Sequence, residues 1–389
     1  MNAPRKAVFV PYNARTILNK HKRPDTWFWT RYTAYPYIGC QHGCHFCYCR
    51  EQKYAPYDDI DDFPYIIKVK QNAPALLHKA LSKLPRDVVA VGDYQPAERK
   101  FEISRRMLEV CLDLRFPVFL LERSPLVLRD LDLLQEINKV AHVSVLFSII
   151  HTSISPHADR ISRIERLAPP PEQRFAAMRR LTDSGITCGV SLMPILPGLC
   201  DTRENISAVI QHTRDHGGRF ILAAPLTLAD QQKAYFMRYL QQNEPALYPA
   251  YQDMYPDQSY APASASWLKT ARLVRGICQQ HGLPDRMPRP ILPGEKRALN
   301  KKAVEYLANQ LYTMELEQVP DQRMWTYRKA AWSIEDTQQD IGLIYRRMGR
   351  KGLESIQHVG PTFARQLETL ICVIMENNDH IQEEPAQSH

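Results

Sequence analysis

Three closely spaced cysteines, Cys40, Cys44 and Cys47, are the residues of this chain best suited to chemistry. They lie in the run Tyr-Pro-Tyr-Ile-Gly-Cys-Gln-His-Gly-Cys-His-Phe-Cys-Tyr at positions 35–48. Three thiolates in one short loop can hold three corners of a cubane iron–sulfur cluster, which leaves the fourth iron open. The spacing also allows a structural zinc site that is closed by Cys49 or by a nearby histidine, His42 or His45. The loop therefore predicts a metal centre.

The composition predicts a globular protein of the cytoplasm. The 389 residues are 44% hydrophobic and 24% charged, which is typical of soluble domains. The longest apolar runs, such as 143–150, fall far short of the roughly 18–20 residues that a membrane span needs, and the polar N-terminus does not read as a signal peptide. Nine cysteines, four of them within 40–49, favour a metal site in a reducing compartment over a disulfide framework. The formal charge of +8 mildly favours a polyanionic partner.

The elements that must position the cysteines are predicted from alternating β-branched runs and helical stretches, a pattern typical of βα units and a parallel sheet. The predicted strands are 32–38, 88–92, 117–121, 142–150, 186–192 and 219–224. Amphipathic spacing predicts helices within 103–110 and 126–137. Loops at the carboxyl ends of parallel strands meet at one edge, so we expect their polar residues to form one site.

The cysteine loop resembles that of the radical S-adenosylmethionine (SAM) superfamily. Pro36-Tyr37-Ile38-Gly39-Cys40, His42-Gly43-Cys44 and Cys47-Tyr48 are similar, more narrowly, to the group related to spore photoproduct lyase. The resemblance covers about residues 30–225, including the segments 92–98, 123–130, 169–174 and 194–201. It implies an α/β fold with a partial (β/α)6 barrel, and a [4Fe-4S] cluster whose open iron binds SAM and cleaves it to a 5′-deoxyadenosyl radical. An external electron donor, such as a flavodoxin or a ferredoxin, is implied with it.

The same resemblance implies roles for individual residues. The expected contacts to the amino, carboxylate and ribose groups of SAM are Asp93, Glu98, Arg123, Ser148 and Arg174. Carboxylates suit an ammonium group and arginine suits a carboxylate. Taken singly, these residue types are more often solvated residues or helix caps. Tyr48 is the candidate catalytic residue.

The chain departs from the spore photoproduct lyase group in its hydrogen-atom relay. That group carries a tyrosine on each side of its third cluster cysteine and a cysteine on the following strand. Here Phe46 precedes Cys47, and Ala90 occupies the expected position of the donor cysteine. A phenylalanine has no phenolic hydrogen to donate. We therefore expect the same radical but a different final step, unless another cysteine replaces the donor, and the candidates are Cys49, Cys188 and Cys200.

A proline-rich stretch at 284–293 predicts a domain boundary. The predicted organisation is a radical SAM domain over 1–284, a linker over 285–294, a small all-α domain over 295–380 and a disordered tail over 381–389. Within the all-α domain the pattern predicts helices at 298–311, 325–335, 338–348, around Leu353 and at 361–375. Residues 248–264 are predicted to form an irregular loop.

The all-α domain resembles the N-terminal domain of family X DNA polymerases, with a helix-hairpin-helix motif at 353–367. Such a hairpin holds a phosphate with backbone amides at a helix N-terminus. One glycine of the motif is Gly360, whereas the other is replaced by His358. The basic residues expected to supply the salt-dependent part of binding are Lys301, Lys302, Arg328, Lys329, Arg346, Arg347, Arg350 and Lys351.

Together the two domains predict a radical SAM enzyme that repairs or modifies nucleic acid, with DNA favoured. Modification of RNA or tRNA is the alternative enzymatic interpretation. A nucleic-acid-binding protein with a structural zinc is the alternative of another class, and a protein-interaction role for the basic helices stays open.

Overall fold

The structure is a computed structural model that describes residues 5–256, 260–261 and 264–382. Its contacts divide the chain into two compact units, with the division between Met287 and Pro288. This point lies within the predicted linker, 285–294. The predicted tail lies outside the described residues from position 383 onward. Within the described chain, no helix combines the length and apolar character that crossing a bilayer requires.

The first unit is built on an open sheet of seven strands in the order β10-β9-β8-β7-β6-β3-β2. Six of these strands are parallel, and β2 pairs antiparallel with β3 at one edge. A second sheet has the order β1-β5-β4. The strands are β1 (Val8–Tyr12), β2 (Leu18–Lys20), β3 (Tyr32–Ala34), β4 (Tyr37–Ile38), β5 (Ile66–Lys70), β6 (Val89–Ala90), β7 (Val118–Glu122), β8 (Val143–Ser148), β9 (Thr187–Ile195) and β10 (Ile221–Pro225).

The predicted α/β fold with six parallel strands is confirmed. One prediction needs correction, because the expected single strand over 32–38 is divided between the two sheets as β3 and β4. Pro36 lies at the division, where it has no N–H to donate to a continuing ladder. Its carbonyl instead accepts a hydrogen bond from Lys70 N at 2.9 Å. The chain thus leaves the main sheet just before the cysteines.

Helices cover the sheet and bury its central strands on both faces, and all six residues of β8 are buried. This is why these strands are almost continuously apolar. The helices of the first unit are α1 (Ala73–Leu81), α2 (Glu98–Phe101), α3 (Ile103–Asp113), α4 (Leu131–Val140), α5 (Ala158–Ile164), α6 (Pro171–Asp183), α7 (Arg203–Asp215), α8 (Asp230–Asn243), α9 (Tyr248–Met254) and α10 (Ser264–Gln280).

Two predictions about these helices were wrong in detail. The expected helix over 126–137 begins as a 3₁₀ turn, Pro125–Asp130, whose first amide is capped by the Ser124 hydroxyl, and α4 follows it. The expected loop over 248–264 contains helix α9. Pro249 fits the first turn of that helix, where an N–H is not needed. Tyr251 and Tyr255 are buried and stack on each other. The helix therefore depends on tertiary packing, which local propensity does not show.

The second unit is helical throughout its described elements. These are α11 (Ala298–Leu316), α12 (Asp321–Asp336), α13 (Ile341–Glu354) and α14 (Pro361–Gln382). The predicted separate helices at 338–348 and around Leu353 are parts of α13, which is interrupted at Gly349. Gly349 has φ +60° and ψ −153°, a conformation that glycine adopts at little cost.

Candidate functional site

The cysteine loop connects β4 to β5, and two glycines shape it. Gly39 has φ +84°, and a Cβ there would lie 2.7 Å from the carbonyl oxygen of Ile66. Gly43 has φ +63°, and a Cβ there would lie 3.2 Å from Cβ of Pro64. A side chain at either position would be strained, so the loop needs both glycines to follow this path.

The three thiols lie in one electrostatic environment, in which Cys44 is buried and Cys40 and Cys47 are half-buried. Burial raises the pKa of Cys40, and the charges of Asp93, Cys47 and Cys44 raise it further. Burial also raises the pKa of Cys44 to about 11. A hydrogen bond with Cys49 is the main cause that lowers the pKa of Cys47 to about 6, against the effect of burial. Each thiolate therefore affects the others, as residues that bind one anionic cluster would.

The donor set fits an iron–sulfur cluster. A cubane binds each cysteine at a different iron, so the three sulfurs need not converge on one point. Across the described chain, no three His, Cys, Asp or Glu side chains are grouped so that they could hold a single metal ion. The Arg123 guanidinium is electrostatically coupled to all three thiols and offers a positive charge beside them.

Asp93 and Glu98, the two predicted carboxylates, differ in how their oxygens are used. Asp93 follows β6 and accepts a hydrogen bond from Gln95 Nε2 at 3.1 Å, and burial raises its pKa to about 7. Glu98 is fully buried and accepts hydrogen bonds from the Tyr37 hydroxyl, from Ser104 N at 2.9 Å and from Arg129 Nη2 at 3.1 Å. Asp93 therefore lies with the thiols, whereas Glu98 joins β4 to α3 within the protein.

Arg123 and Arg174 are brought together by Glu165, which sequence reasoning missed. Glu165 is buried and accepts hydrogen bonds from Arg123 Nη1, from Arg174 Nη2 at 2.7 Å and from Arg174 Nη1 at 3.2 Å. Burial would raise the pKa of Glu165, but Arg174 and Arg123 hold it down to about 2. Arg174 also donates to the carbonyls of Pro169 and Ser148, both at 2.8 Å. All three of its nitrogens are thus engaged within the protein.

Ser148 and Tyr48 complete the set of predicted contacts in the first unit. The Ser148 hydroxyl, at the end of β8, donates to the Met193 carbonyl at 3.2 Å and can still accept a hydrogen bond. Tyr48 follows Cys47, is 47% exposed and lies edge-on to Tyr54 at 5.6 Å between ring centroids. It is therefore accessible from solvent.

Phe46 and Ala90, which stand where the spore photoproduct lyase group has relay residues, are both buried. Ala90 lies within β6. Phe46 packs beneath Arg123, whose Cζ lies 5.0 Å from its ring centroid. Burial raises the pKa of both Cys188 and Cys200, as it does for inert core thiols. Of the three substitute cysteines considered, only Cys49 contacts the cysteine loop's own thiols.

Sequence reasoning also missed the side chains that hold the loop backbone. Gln95 donates to the Gly39 carbonyl and accepts from Gln41 N, both at 3.0 Å. Gln232 of α8 donates to the Phe46 carbonyl at 3.1 Å. Arg50 is a third such residue. Two of them carried a sequence signal, since Arg50 lies three residues after Cys47 and Gln95 lies within the segment 92–98 of the resemblance, whereas Gln232 is distant in sequence.

A further missed residue is Glu122, the last residue of β7. Its Oε2 accepts a hydrogen bond from Tyr94 N at 3.2 Å, and its Oε1 is buried without a partner among the described residues. Burial is the main cause that raises its pKa well above the usual range, and Asp93 adds to it. Its position at a strand end was the available signal.

The predicted hairpin occupies residues 355–360 between α13 and α14. His358 adopts φ +62°, the conformation that a glycine supplies in the usual motif, and both His358 and Gly360 are exposed. Val359 N donates to the Ile356 carbonyl, and Ala364 N donates to the Gly360 carbonyl, each at 3.0 Å. The turn therefore forms with histidine in the strained position.

The predicted basic residues of the second unit fall into two groups. Lys301 is buried and paired with Glu295 at 2.5 Å, so it does not present its charge at the surface. Arg328 is half-buried and lies over Trp325 at 5.0 Å, and Arg350 is paired with Glu368. Lys302 is half-buried, and the exposed members are Lys329, Arg346, Arg347, Arg350 and Lys351.

No protein-family model matches the chain. An uncharacterized protein of Mycobacterium tuberculosis strain H37Rv is 27% identical over 267 residues, which are 67% of this chain and 77% of that protein. An uncharacterized protein of Methanocaldococcus jannaschii is 28% identical over 276 residues, which are 70% of this chain and 98% of that protein. The matched regions cover most of each relative's own length, and the relatives' names assign no activity.

Solved structures of spore photoproduct lyase are similar in fold. One variant superimposes with a TM-score of 0.52 and 15% identity, covering 71% of this chain and 81% of that one. A double variant with bound AdoMet and dinucleoside spore photoproduct gives 0.51 and 14%, with the same coverage. Identity at this level establishes the architecture alone. The chain thus has an α/β fold similar to that of spore photoproduct lyase.

Proposed function

We propose that this protein is a radical SAM enzyme that acts on nucleic acid, with DNA as the favoured substrate. The observation that carries the proposal is the placement of Cys40, Cys44 and Cys47 in one electrostatic environment, within a fold shared with spore photoproduct lyase. A [4Fe-4S] cluster on these cysteines, with SAM on its open iron, supplies reductive cleavage of SAM to a 5′-deoxyadenosyl radical. An external one-electron donor, such as a flavodoxin or a ferredoxin, is required.

The contacts described above support distinct tasks for the predicted SAM-binding residues. Asp93 would accept hydrogen bonds from the amino group of SAM, because its carboxylate is coupled to the cluster cysteines. Arg123 would bind the carboxylate of SAM, since only Nη1 of its guanidinium is engaged by Glu165. Arg174 and Glu98 are already engaged within the protein, so we assign them to positioning. Ser148 retains an acceptor for a ribose hydroxyl.

The final hydrogen transfer would differ from that of the lyase group. Phe46 carries no O–H, and Ala90 carries no thiol, so neither residue can pass a hydrogen atom to a substrate radical. Tyr48 is half-exposed beside Cys49 and offers an O–H. We therefore retain Tyr48 as the candidate catalytic residue, and we assign the protein to radical repair or modification of a base without fixing the product as that of the lyase.

The helical unit would hold the nucleic acid. The exposed turn at 355–360 precedes the N-terminus of α14, where backbone amides are available to a phosphate. The exposed cations Arg346, Arg347 and Lys351 lie on the helix that enters the turn. Backbone amides and nearby cations bind the nucleic-acid backbone without reading its sequence.

The test is product analysis with anaerobically reconstituted protein, a reductant and SAM. We expect iron, acid-labile sulfide and 5′-deoxyadenosine, together with a change in oligonucleotides that carry damaged bases. Zinc without iron or sulfide would instead select the structural-zinc alternative. Binding to duplex DNA, single strands and tRNA at several salt concentrations distinguishes the substrates, and preference for tRNA would select RNA modification.

A further inference from the structure

Arg50 makes the most extensive contacts with the backbone of the cysteine loop. It lies three residues after Cys47 and is fully buried. Its Nε donates to the Cys44 carbonyl at 3.2 Å, its Nη2 donates to the Gly43 carbonyl at 3.2 Å, and its Nη1 donates to the Ile60 carbonyl at 3.1 Å. One guanidinium therefore fixes the two consecutive peptides on either side of the second cysteine, Cys44.

Two aromatic rings enclose this guanidinium. The Arg50 Cζ atom lies 4.6 Å from the ring centroid of Phe63 and 4.0 Å from that of Tyr235. Tyr235 belongs to α8, and its hydroxyl forms a 2.8 Å hydrogen bond with Nδ1 of His45, inside the loop. The rings exclude water from the cation and prevent it from leaving the loop.

Arg50 differs from the other arginines of the site in its charge balance. Arg123 and Arg174 both form ion pairs with Glu165. For Arg50, no ion-pair partner occurs among the carboxylates of the described chain. Burying a cation without a counter-charge is costly, and carbonyl dipoles and ring faces offset only part of that cost. Among the thiols of the loop, Cys47 interacts electrostatically with Arg50, whose charge lowers the pKa of that thiol.

We propose that Arg50 is the buried counter-ion of the cluster held by Cys40, Cys44 and Cys47, and that its charge raises the reduction potential of that cluster. The inference rests on the proposed function, because it requires an iron–sulfur cluster at this loop. An electron added to the cluster makes it more negative, and a fixed cation in a dry environment stabilises that state. Arg50 is thus a positioning residue for the loop and a tuning charge for the cluster.

The test compares Arg50→Gln, Arg50→Lys and Arg238→Gln as anaerobically reconstituted full-length proteins. Arg238 is the matched control, because it also lies over Tyr235, at 5.5 Å, but is exposed and paired with Asp61. Iron and sulfide per chain establish equal loading. The fraction of reduced cluster is then measured by electron paramagnetic resonance at controlled solution potentials.

At the midpoint potential of the wild type, we expect the ratio of reduced to oxidised cluster to fall about tenfold in Arg50→Gln. For one electron this corresponds to a midpoint lower by about 59 mV. Arg50→Lys retains the charge and is expected to stay within about twofold of the wild type, as is Arg238→Gln. Melting of the apoproteins checks that each variant folds.

An unchanged ratio of reduced to oxidised cluster in fully loaded Arg50→Gln would overturn the proposal. Arg50 would then have only the structural role of holding the loop backbone. A tenfold fall in Arg50→Lys would also overturn it, since the geometry of the guanidinium, and not its charge, would then set the reduction potential. If Arg50→Gln assembles no cluster, the Arg50→Lys ratio alone decides, by the same limits. A wild-type protein without iron and sulfide would refute the proposed function itself, which is a separate and distinguishable result.

Discussion

The cysteine loop and the 355–360 hairpin would both bind an anionic group, but they are built in opposite ways. The loop is held by side chains from near and distant parts of the sequence, with Arg50, Gln95 and Gln232 donating to its carbonyls. The hairpin is exposed except at Ile356 and Val359, and its hydrogen bonds run along its own backbone. Buried polar groups with fixed partners are costly to disturb, whereas exposed backbone and surface charge tolerate substitution.

The difference predicts two scales of response. Substitutions around the loop should cause a nearly complete loss of bound metal or a large loss of folding stability. Substitutions at the hairpin should act in small, salt-dependent steps, because phosphate binding sums many weak contacts. The predictions below test this contrast from its largest effect to its smallest.

Replacing one cluster cysteine should abolish metal binding. In Cys44→Ala we expect iron and sulfide per chain to fall to near zero, because the buried thiol at the centre of the loop is lost. The measurement is metal and sulfide analysis with visible absorption after anaerobic reconstitution. Cys49→Ala is the matched control and should keep its iron. Loss of zinc from Cys49→Ala would contradict the cluster and support a four-ligand zinc site.

Replacing Glu165 should destabilise the fold by about 3 kcal/mol, because Arg174 and Arg123 would be left buried without their counter-charge. The native pKa of Glu165 is about 2, below its usual 4.5. Its contribution is therefore complete above about pH 4.5 and is lost as the pH falls toward 2. Urea unfolding of the wild type and Glu165→Gln should show a difference at pH 7 that shrinks at pH 3.

Glu172→Gln provides the control for that measurement. Glu172 is exposed on α6, where it accepts a hydrogen bond from Ser153 N at 3.0 Å, so its loss should cost less than about 1 kcal/mol. Similar costs for Glu165→Gln and Glu172→Gln would show that the buried pairs contribute little net stability.

The sequence predicted the parallel sheet because its strands are buried on both faces and are therefore apolar throughout, as β8 shows. It predicted the cysteines because their spacing is local. It could not predict Gln232 or Tyr235, which bond to the loop from helix α8, or Glu165, which pairs with Arg123 and Arg174, because contacts between residues distant in sequence leave no local pattern. Helix α9 was missed for the same reason, since the packing of Tyr251 and Tyr255 decides its structure. Local spacing thus predicts candidate ligands, and tertiary structure supplies the side chains that hold their loop.

Removing one cation next to the hairpin should weaken nucleic-acid binding a fewfold. In Lys351→Ala we expect the slope of log affinity against log salt to fall by about 1, as when one phosphate contact is lost. Fluorescence anisotropy with a labelled duplex at several salt concentrations measures this. Lys139→Ala, an exposed lysine of the first unit paired with Glu136, should leave the slope unchanged. An unchanged slope in Lys351→Ala would remove this residue from the nucleic-acid interface.

The smallest effect should come from His358, where the two explanations of the altered hairpin separate. At φ +62° a residue with a Cβ pays roughly 1 kcal/mol, which glycine avoids while losing more entropy on folding. His358→Gly should therefore raise stability by less than about 1 kcal/mol, and His358→Ala should not raise it. If the backbone amides hold the phosphate, both variants keep the wild-type affinity within about twofold. If the imidazole contributes a contact, both variants lose affinity equally although their stabilities differ. Thermal melting and anisotropy on the two variants distinguish these outcomes. Only a lost side-chain contact would lower the affinity of both variants equally while their stabilities differ.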